Sequence, residues 1–513
     1  MTRVRRWLSP GFVVVAIAGA KLLLHLTTAS RYGYFGDELY FLACGEHLDW
    51  GYVDQPPLIA GVAWLVRHTL GTSLLAMRLP SALAGATLVV LTGLLARELG
   101  GGRFAMGLSG AASALAFVYV VIHYLFTMNA FEPLFWTLCA LLLVRIVKTG
   151  DQRLWLWFGL VAGLGLQNKY TMAVYGLGLS VGVLLTPERR AFRQPWIWLG
   201  GSIAGLVFLP NVVWNAEHGW PFFELMRNIR ASGRDVALSP VEYLLRQVFN
   251  MNPANLPTWL AGLGWLHFSA RGRAFRPLGW AFLVTLATFA LAKGKDYYLA
   301  PAFATLFAAG AVAIETFTAA GGCRFWLRAA LLVLLATVTL PFLPLGLPVL
   351  RAEQLVAYQE RLGLTLPTTE KAHARAALPH HFAWQFGWDE MVGAVAAAYR
   401  ALPPEEQARA AVIGNNYGES GAIDLLGPMH GLPLKALGTH QSYWLWGPGD
   451  PGKDVLIIVG DRQEAVKRWC ADVQVAAQLE HPLGAVWENG PVLVCRAPRA
   501  SVQAIWPKIR NWN

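Results

Sequence analysis

RYGYFGDELYFLACGEHLDW, residues Arg31–Trp50, follows the first long apolar run of the chain and decides how the rest is read. It sets two adjacent carboxylates, Asp37 and Glu38, among Tyr32, Tyr34, Phe35, Tyr40 and Phe41. Gly33 and Gly36 predict a tight backbone turn just ahead of them. Ionisable groups held against a membrane surface are costly, which makes the pair a functional candidate. The alternative is local: both carboxylates cap a helix beginning near Leu39 and complement its dipole.

The chain around that stretch is 55% hydrophobic and only 14% charged over 513 residues, the composition of a polytopic membrane protein. About eleven apolar runs approach the ~20 residues a bilayer demands. They lie near residues 10–29, 80–97, 104–122, 130–147, 154–168, 170–186, 196–214, 255–269, 276–292, 298–317 and 325–347. The net charge of +11 would suit nucleic acid, but its placement argues otherwise. With Arg3, Arg5 and Arg6 in the cytoplasm, alternate short loops carry Arg97 and Arg103, then Arg145, Lys148 and Arg153, then Arg189, Arg190 and Arg193, then Arg271, Arg273 and Arg276, then Arg324. This is the positive-inside pattern, and it fixes an orientation. The first run lacks a small-residue cleavage site and reads as a retained helix rather than a signal peptide. An odd number of spans places the C-terminus outside.

The long segments are then the outer ones. In residues 30–79, DQPPL (Asp54–Leu58) and the apolar run to Leu70 predict short helices lying along the interface. Residues 215–254 carry His218, Arg227, Arg230, Arg234 and Arg246. Residues 1–350 form the transmembrane domain. From about Arg351 the spans stop, and 351–513 reads as an outer α/β domain of roughly 150 residues. In it, Trp388–Leu402 is an amphipathic helix ending at Pro403–Pro404, Ala411–Ile413 leads into GNNYGESGA, and Asp454–Val459 and Val492–Cys495 are strands. GNNYGESG lacks the spacing of a dinucleotide or P-loop motif and reads as a strand-to-helix turn. The five cysteines show no metal-ligand spacing; Cys470 and Cys495 share the outer domain, where a disulfide is permitted.

Several outer-side residues could carry chemistry. Glu132 opens a span, where a helix N-terminus favours an anion; a plain terminal charge explains it equally well. Lys169 sits in QNKY, and Lys293, Lys295 and Asp296 sit in KGKDYY. A lysine at a helix end can merely snorkel. These lie on the side the positive-inside rule disfavours, and with Arg227, Arg230, Arg234 and Arg246 they would form an anion site whose natural ligand is phosphate. Lys21 and His25, inside the first span, line a polar cavity or are tolerated near the interface. Carboxylates with cations suit an enzyme on a lipid-phosphate substrate: a carboxylate as general base, cations stabilising the departing phosphate. The same residues suit a non-enzymatic transporter or flippase of an anionic lipid-linked solute, which would add inverted repeats or broken half-helices; none is evident. A scaffold for envelope assembly would leave Asp37 replaceable.

YFGDELYF after a first span, DQPPL in the same loop, an acidic residue opening a later span, NKYT, and KGKDYYLAPAFATL together resemble the dolichyl-phosphate-mannose protein mannosyltransferase-like group of integral membrane glycosyltransferases, which includes the lipid A aminoarabinose transferases. The similarity covers roughly residues 1–350. It implies the GT-C fold, a bacterial inner-membrane location with a periplasmic C-terminal domain, and transfer of sugar from a polyprenyl-phosphate carrier to an outer-side lipid or glycan, with inversion. By that resemblance Asp37 is the general base and Glu38 orients the site. Glu132 matches a position more often Asp. Lys169 and Lys293, with Lys295, are donor-phosphate ligands, and Tyr297 and Tyr298 place the carrier phosphate or the sugar. Tyr34, Tyr40, Gln55 and His218 are the candidate substrate-binding residues. Aminoarabinose transferases carry Lys before the Pro-Pro of the first loop; here it is Gln55, which offers no positive charge. No soluble cofactor is implied. Asp37 and Glu38 leave room for a divalent metal, for which no dedicated ligand set is present.

Overall fold

A computed structural model describes residues 10–319, 321–364, 368–371 and 376–513. Arg3, Arg5 and Arg6, used in the orientation argument, lie outside the described residues. The chain divides into two compact units, one of Met1–Ala29, Arg78–Val213 and Ala237–Val349, the other of Ser30–Met77, Trp214–Val236 and Leu350–Asn513. The break at Val349 falls where the composition changes; the second unit also takes in most of both long outer segments.

Among the described residues seven helices are long and apolar enough to cross a membrane: Gly11–Thr28, Leu74–Glu98, Met128–Thr149, Pro195–Glu217, Arg273–Leu291, Asp296–Thr318 and Trp326–Gly346. The bent pair Thr171–Leu184 and Pro187–Arg193 would make an eighth. The other expected spans are helical but shorter. Leu154–Asn168 and Leu256–Phe268 are separate short helices, and the 104–122 run splits into Arg103–Ala114 and Phe117–Ile122. The split has a polar cause. Ala116 turns extended, and the carbonyls of Ala114 and Tyr119 accept from Lys21 Nζ at 3.3 and 3.2 Å. His25 joins them, its Nε2 lying 3.2 Å from the Val120 carbonyl. Lys21 and His25 are therefore buried partners of a helix break, as backbone polar groups inside a bilayer require.

In the first unit the 296–318 helix is the most enclosed, with 78% of its apolar window buried against 11% for Pro195–Glu217. Its close neighbour is Leu256–Phe268. A Cβ at Gly310 would strike the Thr258 carbonyl, and one at Gly262 the Leu306 carbonyl. Small residues at such crossings let apolar helices pack when lipid offers no hydrophobic drive.

The second unit is built on a five-stranded sheet, β1 (Ala410–Gly414), β2 (Ala436–Gly438), β3 (Val455–Val459), β4 (Cys470–Leu479) and β5 (Gly490–Pro498), in the order β2-β1-β3-β5-β4. β1 pairs in parallel with β2 and β3, with Val412 opposite Ala436 and Ile457; β5 runs antiparallel to β3 and β4. The strands AAVIG and VLIIV are buried along their whole length, which explains their unbroken apolar runs. The Trp388–Arg400 helix lies where the amphipathic pattern placed it. Cys470 and Cys495 are joined in a disulfide between β4 and β5, with Cα atoms 6.0 Å apart.

Candidate functional site

Two groups of polar side chains stand out, one in each unit. The first is built on the helix Gly36–Glu46. Glu38, fully buried, accepts the Phe35 N–H on Oε2 at 2.9 Å and so caps this helix. The local reading thus holds for Glu38. Asp37, half-buried on the first turn, accepts instead from a residue far along the chain: the Tyr417 hydroxyl donates to its Oδ1 at 2.8 Å. The expectation for Gly33 and Gly36 needs correcting. Neither has a left-handed φ. Their role is close approach, since a Cβ at Gly36 would come within 2.5 Å of the Trp384 indole and one at Gly33 would strike the Gln385 carbonyl.

Tyr40 is buried one helical turn on. Its hydroxyl donates to Asp54 Oδ1 at 2.8 Å and lies 2.7 Å from Ser442 Oγ, and its ring stacks on Tyr417 at 4.6 Å. Burial, then the Asp54 charge, pushes the Tyr40 hydroxyl well above its ordinary value. Asp54 itself is pushed up to about 7, chiefly by burial, with the Asp37 charge adding to the rise. Asp54 thus keeps its proton well above the usual carboxylate range, and it lies near enough for the Asp37 charge to contribute. The sequence shows Asp54 as one of the carboxylates of the same outer segment as Asp37 and Glu38, with Glu46 and Asp49, but no local signal marks it as buried.

The remaining candidates of this unit are spread around that core. The Tyr34 hydroxyl donates to the Thr72 carbonyl, and its own carbonyl accepts from the Trp388 indole at 3.0 Å. Gln55 is fully buried with Nε2 3.8 Å from Cys44 Sγ; its Oε1 finds no partner among the described residues. His218 is exposed and stacks on Trp214 at 4.1 Å, while the Trp214 indole donates to Asp49 at 2.7 Å. Arg234 pairs with Glu370 at 3.4 Å. Arg227 and Arg230 belong to this unit, and Arg246 to the unit that holds the lysines.

The second group lies in the first unit on the helix Met128–Thr149. Glu132 sits in its second turn rather than at its start, and is buried. The reason is a partner: Lys169 Nζ lies 3.0 Å from Glu132 Oε2 and 2.7 Å from Asn129 Oδ1, and the Thr171 hydroxyl donates to Glu132 Oε1. Lys169 also lies over the faces of Tyr298 and Tyr297, at 4.4 and 5.6 Å from the ring centres, where the ring quadrupole attracts a cation. Glu132, Lys169, Tyr297 and Tyr298 thus form one cluster. Lys293 is exposed at a positive φ of 55° on the turn before them, and Lys295 is half-buried. Asp296 is buried close to the Arg246 charge.

Among the described residues no group of three or more His, Cys, Asp or Glu is placed to hold a metal ion. GNNYGESG is a strand-to-helix turn, as expected. Glu419 within it accepts the Asn415 and Asn416 N–H groups at 2.7 and 3.1 Å, and burial raises both Glu419 and its neighbour Glu488 above the usual carboxylate range. No local signal in the sequence ties Tyr417 of this turn to Asp37.

Comparison with known proteins finds likenesses over parts of the sequence and in the fold. Residues 54–214 match the model of the dolichyl-phosphate-mannose-protein mannosyltransferase family. The lipid A galacturonosyltransferase RgtD of Rhizobium johnstonii is 25% identical over 191 residues, which is 36% of this chain and 39% of that relative's length. The fold is similar to that of ArnT from Cupriavidus metallidurans. The crystal structure bound to undecaprenyl phosphate superposes with a TM-score of 0.59 at 15% identity, covering 94% of this chain and 97% of that one; the apo structure gives 0.61. The likeness to membrane glycosyltransferases of the GT-C type is borne out: a mainly helical, multi-pass architecture with a small C-terminal sheet.

Proposed function

We propose that this chain transfers a sugar from a polyprenyl-phosphate donor to an outer-side lipid or glycan acceptor, with inversion at the anomeric carbon. The observation that carries the reading is the Asp37 carboxylate, half-buried on a first helical turn and accepting the Tyr417 hydroxyl at 2.8 Å; Asp54, pushed up to about 7, supports it. Carboxyl groups in different environments can take different roles, and Asp37 is the one assigned here as base. Asp37 takes the proton of the acceptor hydroxyl as its oxygen attacks the anomeric carbon. The bond from that carbon to the carrier phosphate breaks, and its electron pair leaves with the phosphate. Lys169, with Lys293 and Lys295, meets the charge developing there, and Tyr297 and Tyr298 place the group. Glu132 holds the Lys169 ammonium in position. Glu38 fixes the helix that carries Asp37. His218 and Tyr34 contact substrate, while Tyr40 holds Asp54 through its hydroxyl and Gln55 is buried beside Cys44.

In this proposal about eleven helices cross the bacterial inner membrane, some of them short or broken. Residues 1–350 make the transmembrane domain, the N-terminus is cytoplasmic, and residues 351–513 are periplasmic. The carrier class is that of the ligand in the ArnT crystal structure, undecaprenyl phosphate. The name of RgtD makes galacturonic acid on lipid A the first donor–acceptor pair to try. The test is mass spectrometry of envelope lipids and glycans from cells lacking the native copy. Restoring the protein should restore a glycosylated species whose mass increment names the sugar. An envelope unchanged in covalent composition, with a lipid-linked solute redistributed across the membrane, would favour the transporter instead.

A further inference from the structure

We propose that Tyr417 of the C-terminal domain is a positioning residue for Asp37, its hydroxyl holding the carboxylate ionised and aimed at the acceptor. This rests on Asp37 being the base. The 2.8 Å hydrogen bond spans 380 positions of sequence, so it is made only by the folded C-terminal domain. A donor aimed at a carboxylate favours its charged form and fixes its orientation.

Tyr417 is itself held on several sides. It opens the helix Tyr417–Leu426, whose first turn is capped by Asn416 Oδ1, accepting from Gly418 and Glu419 N–H at 2.8 and 3.0 Å. Its ring is sandwiched between Tyr40 at 4.6 Å and His440 at 4.9 Å, the latter almost parallel. His440 is held in turn, its Nε2 3.0 Å from the Asn513 carbonyl. The two helices touch at Gly421, where a Cβ would come 2.8 Å from the Leu39 backbone. Only a residue without a side chain lets the Tyr417 helix lie this close to the helix of Asp37. Ionisable groups near the contact include Asp54, whose proton feels the Asp37 charge, Tyr40, bonded to Asp54, and Glu370 and His440, which act on or stack against Tyr417, with Arg234 paired to Glu370. Glu370 is met by Arg234, and Asp54 is uncharged until pH rises to about 7; above that its charge would push a proton onto Asp37, and the Tyr417 hydroxyl opposes it.

The test is titration of the full-length protein in detergent micelles with ¹³C-carboxyl aspartate, the Asp37 signal being the one absent from Asp37→Asn. No substrate is needed. Tyr417→Phe keeps the ring and its stacking and should raise the Asp37 midpoint by about one pH unit. Tyr417→3-fluorotyrosine, a stronger donor of the same shape, should lower it, and this arm decides the matter where the Phe variant is poorly recovered. A midpoint unmoved in both overturns the inference, even if Tyr417→Phe forms less product in cells; the transferase reading then stands. An Asp37→Asn protein that forms as much product as wild type removes the base, and this inference with it.

Discussion

At the scale of single residues, what matters is which charges are paired. Lys169 and Glu132 are a buried pair, with side chains 10% and 4% exposed. Lys169→Met strands the Glu132 carboxylate and should destabilise the protein by about 3–5 kcal/mol. Lys169→Met with Glu132→Leu should regain most of that in thermal unfolding, though not the activity. Asp54 makes a prediction in pH. Its folded-state value, about 7, lies above the ordinary 3.8, so the folded protein binds this proton more tightly than the unfolded chain. Its contribution to stability is full below about pH 4 and is lost as pH rises to about 7. Asp54→Asn removes the loss, so the melting temperature of the variant relative to wild type should climb across that window; a flat difference would contradict the assignment. His440 acts in the opposite sense. Burial pushes it down to about 4, so its contribution is present above about pH 6.5 and lost as pH falls toward 4. Asp37 was legible in the sequence because a DE pair in an aromatic loop is chemically conspicuous. Tyr417 and the Asp54 proton were not, because each depends on burial and contacts made between distant segments.

At the scale of elements, apolar runs revealed where helices lie but not whether each is whole. The break at Ala116 depends on Lys21 reaching the carbonyls of Ala114 and Tyr119, a contact about 95 residues away that no local pattern records. In the C-terminal domain the strands read from sequence, β3 and β5, and the apolar run of β1 that leads into GNNYGESG, carry the buried apolar stretches. β4 was missed because CADVQVAAQL lies mostly exposed and its side chains carry little pattern. The disulfide ties β4 to β5 across a separation of 25 residues. Replacing both cysteines, Cys470→Ser and Cys495→Ser, should cost about 3 kcal/mol in domain stability by loop entropy. Unfolding followed with and without reductant checks this, and an unchanged midpoint would show that the bond adds nothing to the sheet.

At the scale of the whole molecule, the composition disclosed a polytopic membrane protein and the comparisons agree on its fold. The orientation is a further claim. Single cysteines placed at exposed Asp450 and Asp151 should be labelled by an impermeant maleimide in intact spheroplasts only at Asp450→Cys; the reverse pattern would invert the topology. The central claim, sugar transfer with Asp37 as base, is tested most directly by comparing wild type with Asp37→Asn at matched membrane levels, by mass spectrometry of envelope lipids and glycans. Wild type should form a glycosylated species that Asp37→Asn reduces by roughly 10²–10⁴-fold, to below detection. Equal amounts of that species from both proteins would contradict it.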